Sequence, residues 1–355
     1  MAERPRTLRL HMSENTAGCA PVVAHAVRTL TPVDIATYPD YAPALAAASQ
    51  WLCVDRSQLL LTNGLDDGLH AVAHRARTFG TAGQPGAFEA IVVEPAFEMF
   101  AAAVEAADGT VVRVVMADDF AFPLDAVLQA LTPRTRLVFV NDPHNPSGMG
   151  VAPSTIERLA RAAPQALVLV DEAYADYSGR TVIGPLLDRY RNVIVGRTWA
   201  KAHGLAGLRI GALVGHPETI APIRARQPPY AVNAAAAFAL ASALESSDHV
   251  ARAVAQAHES KALIYAWCRR HGLRCWPSEA SFVLVRFGPS VTAVVDGLAA
   301  RGILIRDRSA VPGCAGCARI AAGVVDHTVA CLEALDDVLP AYTGAGAKEQ
   351  ANHGI

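Results

Sequence analysis

Short apolar runs rich in β-branched residues alternate with amphipathic stretches through the middle of the chain. Five of these runs predict buried strands: FEAIVVEP, TRLVFVND, ALVLVDEAY, RNVIVGRT and RIGALVG. Stretches with helical spacing of apolar residues lie between several of them, including DDGLHAVAHRARTF, AFEMFAAAVEAA and PSTIERLARAA. Alternating strands and helices form mostly parallel sheets with helices on both faces. The pattern therefore predicts an α/β fold with a mostly parallel central sheet flanked by helices.

The pattern changes after Pro229. A long alanine-rich stretch, AVNAAAAFALASALESSDHVARAVAQAHESKALIYAWCRRHG, predicts one or two long helices. Beyond it, ASFVLVRF, VTAVVDGLAARG, ILIRD, ARIAAG and HTVACLEALDDVL predict a smaller domain of strands and helices, to which TLRLHMSEN adds a candidate strand. We therefore expect a large domain over 36–240, a small domain over 241–342 joined by the N-terminal segment 1–35, and a disordered tail over 343–355.

Composition narrows the classes of function. Hydrophobic residues make up 52% of the 355 residues, but charged residues or proline interrupt every apolar run before the roughly 18 to 20 residues of a membrane helix. A net charge of −2 without a basic cluster argues against nucleic-acid and anionic-membrane partners. The absence of a secretion signal and seven irregularly spaced cysteines predict reduced thiols in the cytoplasm. The lone C-x-x-C, Cys314 and Cys317, lacks a second ligand pair and predicts no metal.

Lysine is rare in this chain. Only Lys201, Lys261 and Lys348 occur among its 31 Lys and Arg residues. Arg is always charged, whereas a partly buried Lys can lose its proton and attack a carbonyl group as an amine. Lys201 lies within the small-residue stretch GRTWAKAHGLAGLRIG, which makes it the candidate reactive amine.

Three predicted strands end in polar side chains. FVNDPHNPSGMG presents Asn145, VLVDEAYADY presents Asp171 and Tyr174, and GRTWAKAHGLAGLRIG presents Thr198, Lys201 and Arg209. The ends of parallel strands lie side by side in such a sheet. Together these residues supply an amine, a carboxylate, a phenol, an amide, a hydroxyl and a guanidinium group. That set matches a cofactor with an aldehyde, a ring nitrogen, a phenolic oxygen and a phosphate, which is pyridoxal 5'-phosphate.

The strings NDPHNPSG, DEAY and TWAKAHGLAGLRIG, in this order and spacing, resemble the signature of fold type I pyridoxal phosphate enzymes. Within that group the chain is most similar to class I/II aminotransferases of the histidinol-phosphate aminotransferase family. The resemblance implies that Lys201 forms a Schiff base with the cofactor and moves the substrate proton. It also implies that Asp171 pairs with the pyridine nitrogen, and that Asn145 and Tyr174 hydrogen-bond the phenolic oxygen.

The same resemblance implies the remaining contacts to the cofactor. In LLLTNGLDDGLHAVAH, the backbone N–H groups of Leu65 and Asp66 would bind the cofactor phosphate at a helix N-terminus. Thr198 and Arg209 would complete this phosphate site. Phe97, in EPAFEMF, would stack on the cofactor ring.

Other matches imply contacts to a partner subunit and to substrate. Tyr38, in DIATYPDY, would reach the cofactor phosphate of a partner subunit, which implies a homodimer with shared active sites. Arg319, in GCARIAAG, would bind the substrate α-carboxylate through a bidentate guanidinium. Arg306, in ILIRDRS, would help to bind the phosphate of a phosphorylated substrate, with Arg308 on the same side of a strand as its rival.

The chain also departs from the family it resembles. It reaches SENTAG by Ser13, so much of the family's N-terminal arm is missing, Ala200 stands where a Ser often precedes the lysine, and Ser281 replaces an Asn. Phe97 stands where the family has Tyr. These departures leave the identity of the amino donor open.

We therefore predict an aminotransferase acting between an amino acid or amino alcohol phosphate, histidinol phosphate-like or aromatic, and a 2-oxo acid such as 2-oxoglutarate. Two alternatives stay open at this point. One is a decarboxylase or lyase with the same site, similar to threonine-phosphate decarboxylases, because the cofactor does not decide which Cα bond breaks. The other is a non-catalytic cofactor-binding protein, against which the complete set of site residues argues.

Overall fold

The computed structural model describes residues 7–80 and 87–351, with side chains as far as residue 340. The strands are β1 (Leu8–Arg9), β2 (Leu59–Thr62), β3 (Glu89–Glu94), β4 (Thr110–Val115), β5 (Thr135–Asn141), β6 (Leu167–Asp171), β7 (Val193–Thr198), β8 (Gly211–Gly215), β9 (Arg274–Cys275), β10 (Phe282–Arg286), β11 (Ile303–Leu304), β12 (Arg306–Asp307) and β13 (Cys317–Ala321). The helices are α1 (Pro21–Arg28), α2 (Pro32–Ala36), α3 (Ala42–Leu52), α4 (Gly64–Ala76), α5 (Glu98–Ala106), α6 (Leu124–Gln129), α7 (Pro153–Ala162), α8 (Ala175–Ser178), α9 (Pro217–Arg224), α10 (Ala234–Leu244), α11 (Ser247–Arg270), α12 (Val291–Ala299) and α13 (Val325–Ala351).

Seven strands form the central sheet, in the order β2-β8-β7-β6-β5-β3-β4. Neighbouring strands are parallel except at β8, which pairs antiparallel with both β2 and β7. The prediction of a mostly parallel central sheet is confirmed, and the five predicted apolar runs form β3, β5, β6, β7 and β8. Strand β4 was not predicted from the sequence, because Arg113 breaks the apolar run of this edge strand.

Both faces of the central sheet are buried. Val168 and Val170 of β6 belong to one apolar cluster, and Leu167 and Leu169 belong to another, because successive side chains of a strand point to opposite faces. Helices α4 and α5 cover the second face, and α3, α7 and α10 cover the first. The helices predicted between the strands therefore complete the layers on each side of the sheet.

A smaller sheet, in the order β12-β13-β10-β9, is antiparallel throughout. Its core includes side chains of α11, α12 and α13. The N-terminal strand β1 pairs in parallel with β11, and Leu10, which follows it, is buried in the same core. The predicted strand near the start of the chain is thus present beside the smaller sheet.

The alanine-rich stretch forms two helices, α10 and α11, as predicted. The division into domains at 35/36, 240/241 and 342/343 stays a prediction. The backbone of α13 continues through Ala351, into the range predicted as a disordered tail, and 352–355 lie outside the described residues. None of the described helices combines the length and apolar character needed to cross a membrane.

Candidate active site

The carboxyl ends of three parallel strands bring polar residues together. Asn141, the last residue of β5, is in register with Asp171, the last residue of β6, and Asp171 is in register with Gly196 of β7. The Asn141 side chain donates from Nδ2 to the Asp171 carbonyl at 3.3 Å and accepts at Oδ1 from the backbone N–H of Asn145 at 2.7 Å. This pair of hydrogen bonds fixes the turn that presents Asn145 beside Asp171.

Asp171 lies buried at the end of β6, with 5% of its surface exposed. One carboxylate oxygen accepts a hydrogen bond from the backbone N–H of Ala173 at 2.9 Å. Burial raises the pKa of Asp171 to about 7, against the opposing effect of the nearby Lys201 ammonium group. A buried carboxylate with this pKa is suited to a ligand that offers a basic or protonated nitrogen.

Lys201 follows the end of β7 by three residues. Its Nζ donates to the backbone carbonyl of Met12 at 3.4 Å and lies 5.6 Å from the centre of the Tyr174 ring. Tyr174 is buried, and its ring packs edge-on against Phe282, with the ring centres 5.1 Å apart. The amine therefore borders the cavity with one long hydrogen bond, beside a phenol, and shares that cavity with the buried Asp171.

The N-terminus of α4 forms a second part of the site. Gly64 has φ +76°, and a Cβ atom there would lie 2.6 Å from Arg209 Nη2, so glycine is required for the close approach of this guanidinium. Arg209 Nη2 donates to the Asp66 carboxylate at 3.1 Å. Thr198, at the end of β7, lies on the other side of Gly211 from Thr62, the last residue of β2. Backbone N–H groups, a hydroxyl and a guanidinium thus converge at a helix N-terminus, an arrangement that binds phosphate.

Arg319, on β13, brings a buried guanidinium to the opposite side of the same cavity. It donates from Nη1 to the Asn145 side-chain oxygen and from Nη2 to the His11 carbonyl at 2.9 Å. Its Cζ lies 5.0 Å from the centre of the Phe282 ring. Burial lowers the pKa of Arg319, so an anion would relieve the cost of keeping this charge away from water.

Arg306 and Arg308 also border the cavity, together with Glu98 at the start of α5. Arg308 is buried, whereas Arg306 is exposed. Among the described residues, neither arginine has a side-chain hydrogen bond or an ion pair. From the sequence, Arg308 was predicted only as a rival to Arg306, and Glu98 was not predicted. The sequence signal for Arg308 is its two-residue spacing from Arg306, and the signal for Glu98 is its position directly after Phe97.

One cavity of about 240 Å³ joins these groups. The predicted site residues that line it are Leu65, Asp66, Phe97, Asn145, Asp171, Tyr174, Thr198, Lys201, Arg209, Arg306 and Arg319. Phe97 precedes α5, and its ring packs edge-on against Phe100, with the ring centres 5.9 Å apart.

Tyr38 is the predicted site residue that does not line this cavity. Its side chain is 78% exposed and stacks on the exposed Tyr230, with the ring centres 4.2 Å apart. Within one chain, Tyr38 therefore belongs to the surface, and its predicted contact with a partner's cofactor stays a prediction.

Known proteins resemble this chain over most of its length. A family model described as aminotransferase class I and II matches residues 7–333. The chain is 30% identical over 352 residues to the histidinol-phosphate aminotransferase of Anoxybacillus flavithermus. The aligned region covers 96% of this chain and 91% of that relative.

Solved structures give the same picture. The crystal structure of histidinol-phosphate aminotransferase from Sinorhizobium meliloti in complex with pyridoxal-5'-phosphate has a TM-score of 0.83 and 26% identity, over 95% of this chain and 92% of that one. The L-threonine-O-3-phosphate decarboxylase of Porphyromonas gingivalis has a TM-score of 0.80 over 94% of this chain and 99% of that one. Its identity is 21%, so this likeness concerns the fold alone.

Proposed function

Because the chain belongs to the class I and II aminotransferase family, we propose that it moves an amino group from an amino acid or amino alcohol phosphate to a 2-oxo acid such as 2-oxoglutarate. It is a pyridoxal phosphate-dependent enzyme, as its family and its relatives indicate. The donor that we propose is histidinol phosphate-like or aromatic. This narrower proposal rests on the names of the relatives and on the arginines of the cavity.

The residues of the cavity fit the cofactor. Asp171 is a buried carboxylate without a cationic hydrogen-bond partner among the described residues, and a pyridinium nitrogen would supply one. Arg209 and the first N–H groups of α4 would hold the cofactor phosphate, with Thr198 beside them. Asn145 and Tyr174 would hydrogen-bond the phenolic oxygen, and Phe97 would cover one face of the ring.

When bound, pyridoxal phosphate supplies a carbonyl carbon that accepts amines and a ring that withdraws electrons from the substrate Cα. Lys201 would hold the cofactor through Nζ, and its free Nζ would accept the proton that leaves the donor Cα. The Asp171 carboxylate would keep a proton on the ring nitrogen. Arg319 would orient the donor through its carboxylate or phosphate, so that the Cα–H bond faces Lys201.

The cationic side of the cavity supports a donor that carries a phosphate. Arg306, Arg308 and Arg319 approach one space, and no carboxylate forms an ion pair with any of them among the described residues. Glu98 is the acidic residue at this side of the cavity. A donor that carries a phosphate, alone or together with a carboxylate, would neutralise charge on these guanidinium groups.

We also propose a homodimer in which Tyr38 reaches the cofactor phosphate of the partner subunit. The surface around Tyr38 supports this proposal, since Val33, Ile35 and Tyr230 are exposed beside it and exposed apolar surface marks protein interfaces. Sedimentation equilibrium should give a dimer, and Tyr38→Phe should weaken cofactor binding about tenfold, as loss of a hydrogen bond to a charged group does. A monomeric enzyme with full cofactor affinity would refute this proposal.

The observation that carries the proposed function is the meeting of the Lys201 amine, the buried Asp171 and the Arg209 phosphate site in one cavity. The test is the visible spectrum of the purified holoenzyme mixed with single amino donors and no acceptor. Donors should include glutamate, aromatic amino acids, histidinol phosphate and threonine phosphate. Loss of the long-wavelength cofactor band with one donor, and its return on adding a 2-oxo acid, would identify an aminotransferase and its donor class. Product formation while the band persists or returns without an acceptor would instead indicate decarboxylation or elimination.

A further inference from the structure

Lys261 is a buried lysine that the proposed mechanism does not use. Its side chain, on α11, is 3% exposed, and Nζ donates to the backbone carbonyl of Ser278 at 2.7 Å. One turn further along α11, the Tyr265 hydroxyl accepts a hydrogen bond from the backbone N–H of the same Ser278 at 2.8 Å. Two side chains of one helix therefore hold both polar backbone groups of one residue. We call Lys261 and Tyr265 the Ser278 clamp.

The residues beside the clamp dock on the turn that carries Asn145. Glu279 donates from its backbone N–H to the Gly148 carbonyl at 2.8 Å, and Gly148 donates to the His144 carbonyl within that turn at 2.6 Å. A Cβ atom on Gly148 would lie 2.1 Å from Ser278 Oγ, so the two backbones pack with no room between them. Arg180 adds an ion pair with Glu279 from the side of the central sheet. A shift of Ser278 would therefore move the turn that holds Asn145.

The same segment leads to the other support of Arg319. Phe282 starts β10, four residues after Ser278, and its ring lies under the Arg319 guanidinium and against Tyr174. Asn145 accepts a hydrogen bond from the same guanidinium. The segment 278–282 thus connects the clamp to two of the groups that hold Arg319 in place.

We propose that Lys261 and Tyr265 are positioning residues for binding the amino donor, because their grip on Ser278 sets the place of Arg319 through Asn145 and Phe282. This inference rests on the proposed role of Arg319 in binding the donor carboxylate. A buried ammonium group is costly unless it is well hydrogen-bonded, and a plain apolar side chain would fill the same space without that cost.

The experiment compares Lys261→Met and Tyr265→Phe with matched controls. Arg252→Met removes an exposed cation from the same helix, and Tyr190→Phe removes a phenol that bonds Glu157 at 2.9 Å, away from the site. The clamp variants should raise KM for the preferred amino donor about tenfold, leave kcat within about twofold and leave the cofactor band unchanged. The controls should keep the wild-type KM.

A second measurement separates positioning from stability. Hydrogen–deuterium exchange of the Glu279 and Gly148 amides in the holoenzyme should be faster in both clamp variants than in both controls. An unchanged KM and exchange rate together with a lower Tm would overturn the proposal, as would a fall in kcat at constant KM. If Lys261→Met does not fold, Tyr265→Phe tests the proposal alone, because this variant removes only the hydroxyl oxygen that bonds Ser278. A wild-type protein that turns over no donor would refute the proposed function. If, in addition, the Glu279 and Gly148 amides of the clamp variants exchanged at the same rate as those of the controls, the role of the Ser278 clamp would be refuted as well.

Discussion

The two sides of the active-site cavity are built differently. The side near the central sheet holds Asp171 and Asn141 at registered strand ends. The Asp171 carboxylate accepts a hydrogen bond from the Ala173 backbone N–H, and the Asn141 side chain bonds the backbone of Asp171 and Asn145. The side near the small sheet holds three guanidinium groups that lack carboxylate partners among the described residues. The first side is fixed by the fold and suits a resident cofactor. The second side leaves its charge for a ligand to neutralise, so it should select the substrate.

Replacing the lysine tests the first side most severely. Lys201→Ala should lower the rate of amino transfer at least about 10⁴-fold, because the variant loses both the amine that holds the cofactor and the base at the substrate Cα. Steady-state kinetics and mass spectrometry after borohydride treatment measure this, and the wild type should carry the reduced cofactor on Lys201. If borohydride treatment left no cofactor bonded to the wild-type protein, the assignment of Lys201 as the Schiff-base lysine would be wrong. Lys201→Arg, which keeps the charge, should be as inactive as the alanine variant.

Asp171→Asn tests whether burial raises the pKa of this carboxylate in the cofactor-free protein. In the cofactor-free protein the folded-state pKa lies near 7 and the ordinary value is 3.8, so ionisation opposes folding as pH rises through this range. The variant should be more stable than the wild type by up to about 4 kcal/mol at pH 8, and equally stable near pH 4. Urea unfolding of both proteins at the two pH values measures this difference.

The same substitution should reduce activity by about 10³-fold in the holoenzyme, because an amide cannot keep the ring nitrogen protonated. Stability gained without loss of activity would mean that Asp171 does not face the cofactor ring. Activity lost without any pH-dependent change in stability would instead contradict the buried, raised pKa. Either result would remove the difference between the two sides of the cavity.

The substrate side should respond in a different way. Arg319→Met should lower kcat/KM for the amino donor by about 10²-fold, as removal of one partner of a buried ionic contact does, and should leave the cofactor band in place. Arg301→Met, at an exposed position in the turn after α12, is the matched control and should behave like the wild type. A loss of cofactor binding in Arg319→Met would show that the two sides are not separate.

The smallest effect should come from the remaining arginines. Arg308 is buried and Arg306 is exposed, so Arg308→Met should raise KM for a phosphorylated donor about tenfold and Arg306→Met by less. Neither variant should affect donors without a phosphate group. Equal losses for phosphorylated and unphosphorylated donors would refute a second anion-binding position.

Sequence reasoning was strongest where local strings carry the chemistry. Lys201, Asp171 and Asn145 stand in short motifs at the ends of apolar runs, and the order of parallel strands brings such ends together. It was weaker at Arg308, because two arginines two positions apart on a strand point to the same side and the sequence does not say which is buried. It could not place Glu98 or the backbone of Met12 at the cavity, since their approach depends on contacts between distant segments.

The α/β fold, the family and the residues that suit pyridoxal phosphate can be predicted from the sequence alone, because apolar periodicity and short motifs are local properties of the chain. Which side chains share the cavity, and in what state, depends on the tertiary structure. The pKa of Asp171, the support of Arg319 by Asn145 and Phe282, and the grip of Lys261 on Ser278 all arise between residues far apart in sequence. Burial and mutual distance set these properties, and they exist only once the chain has folded.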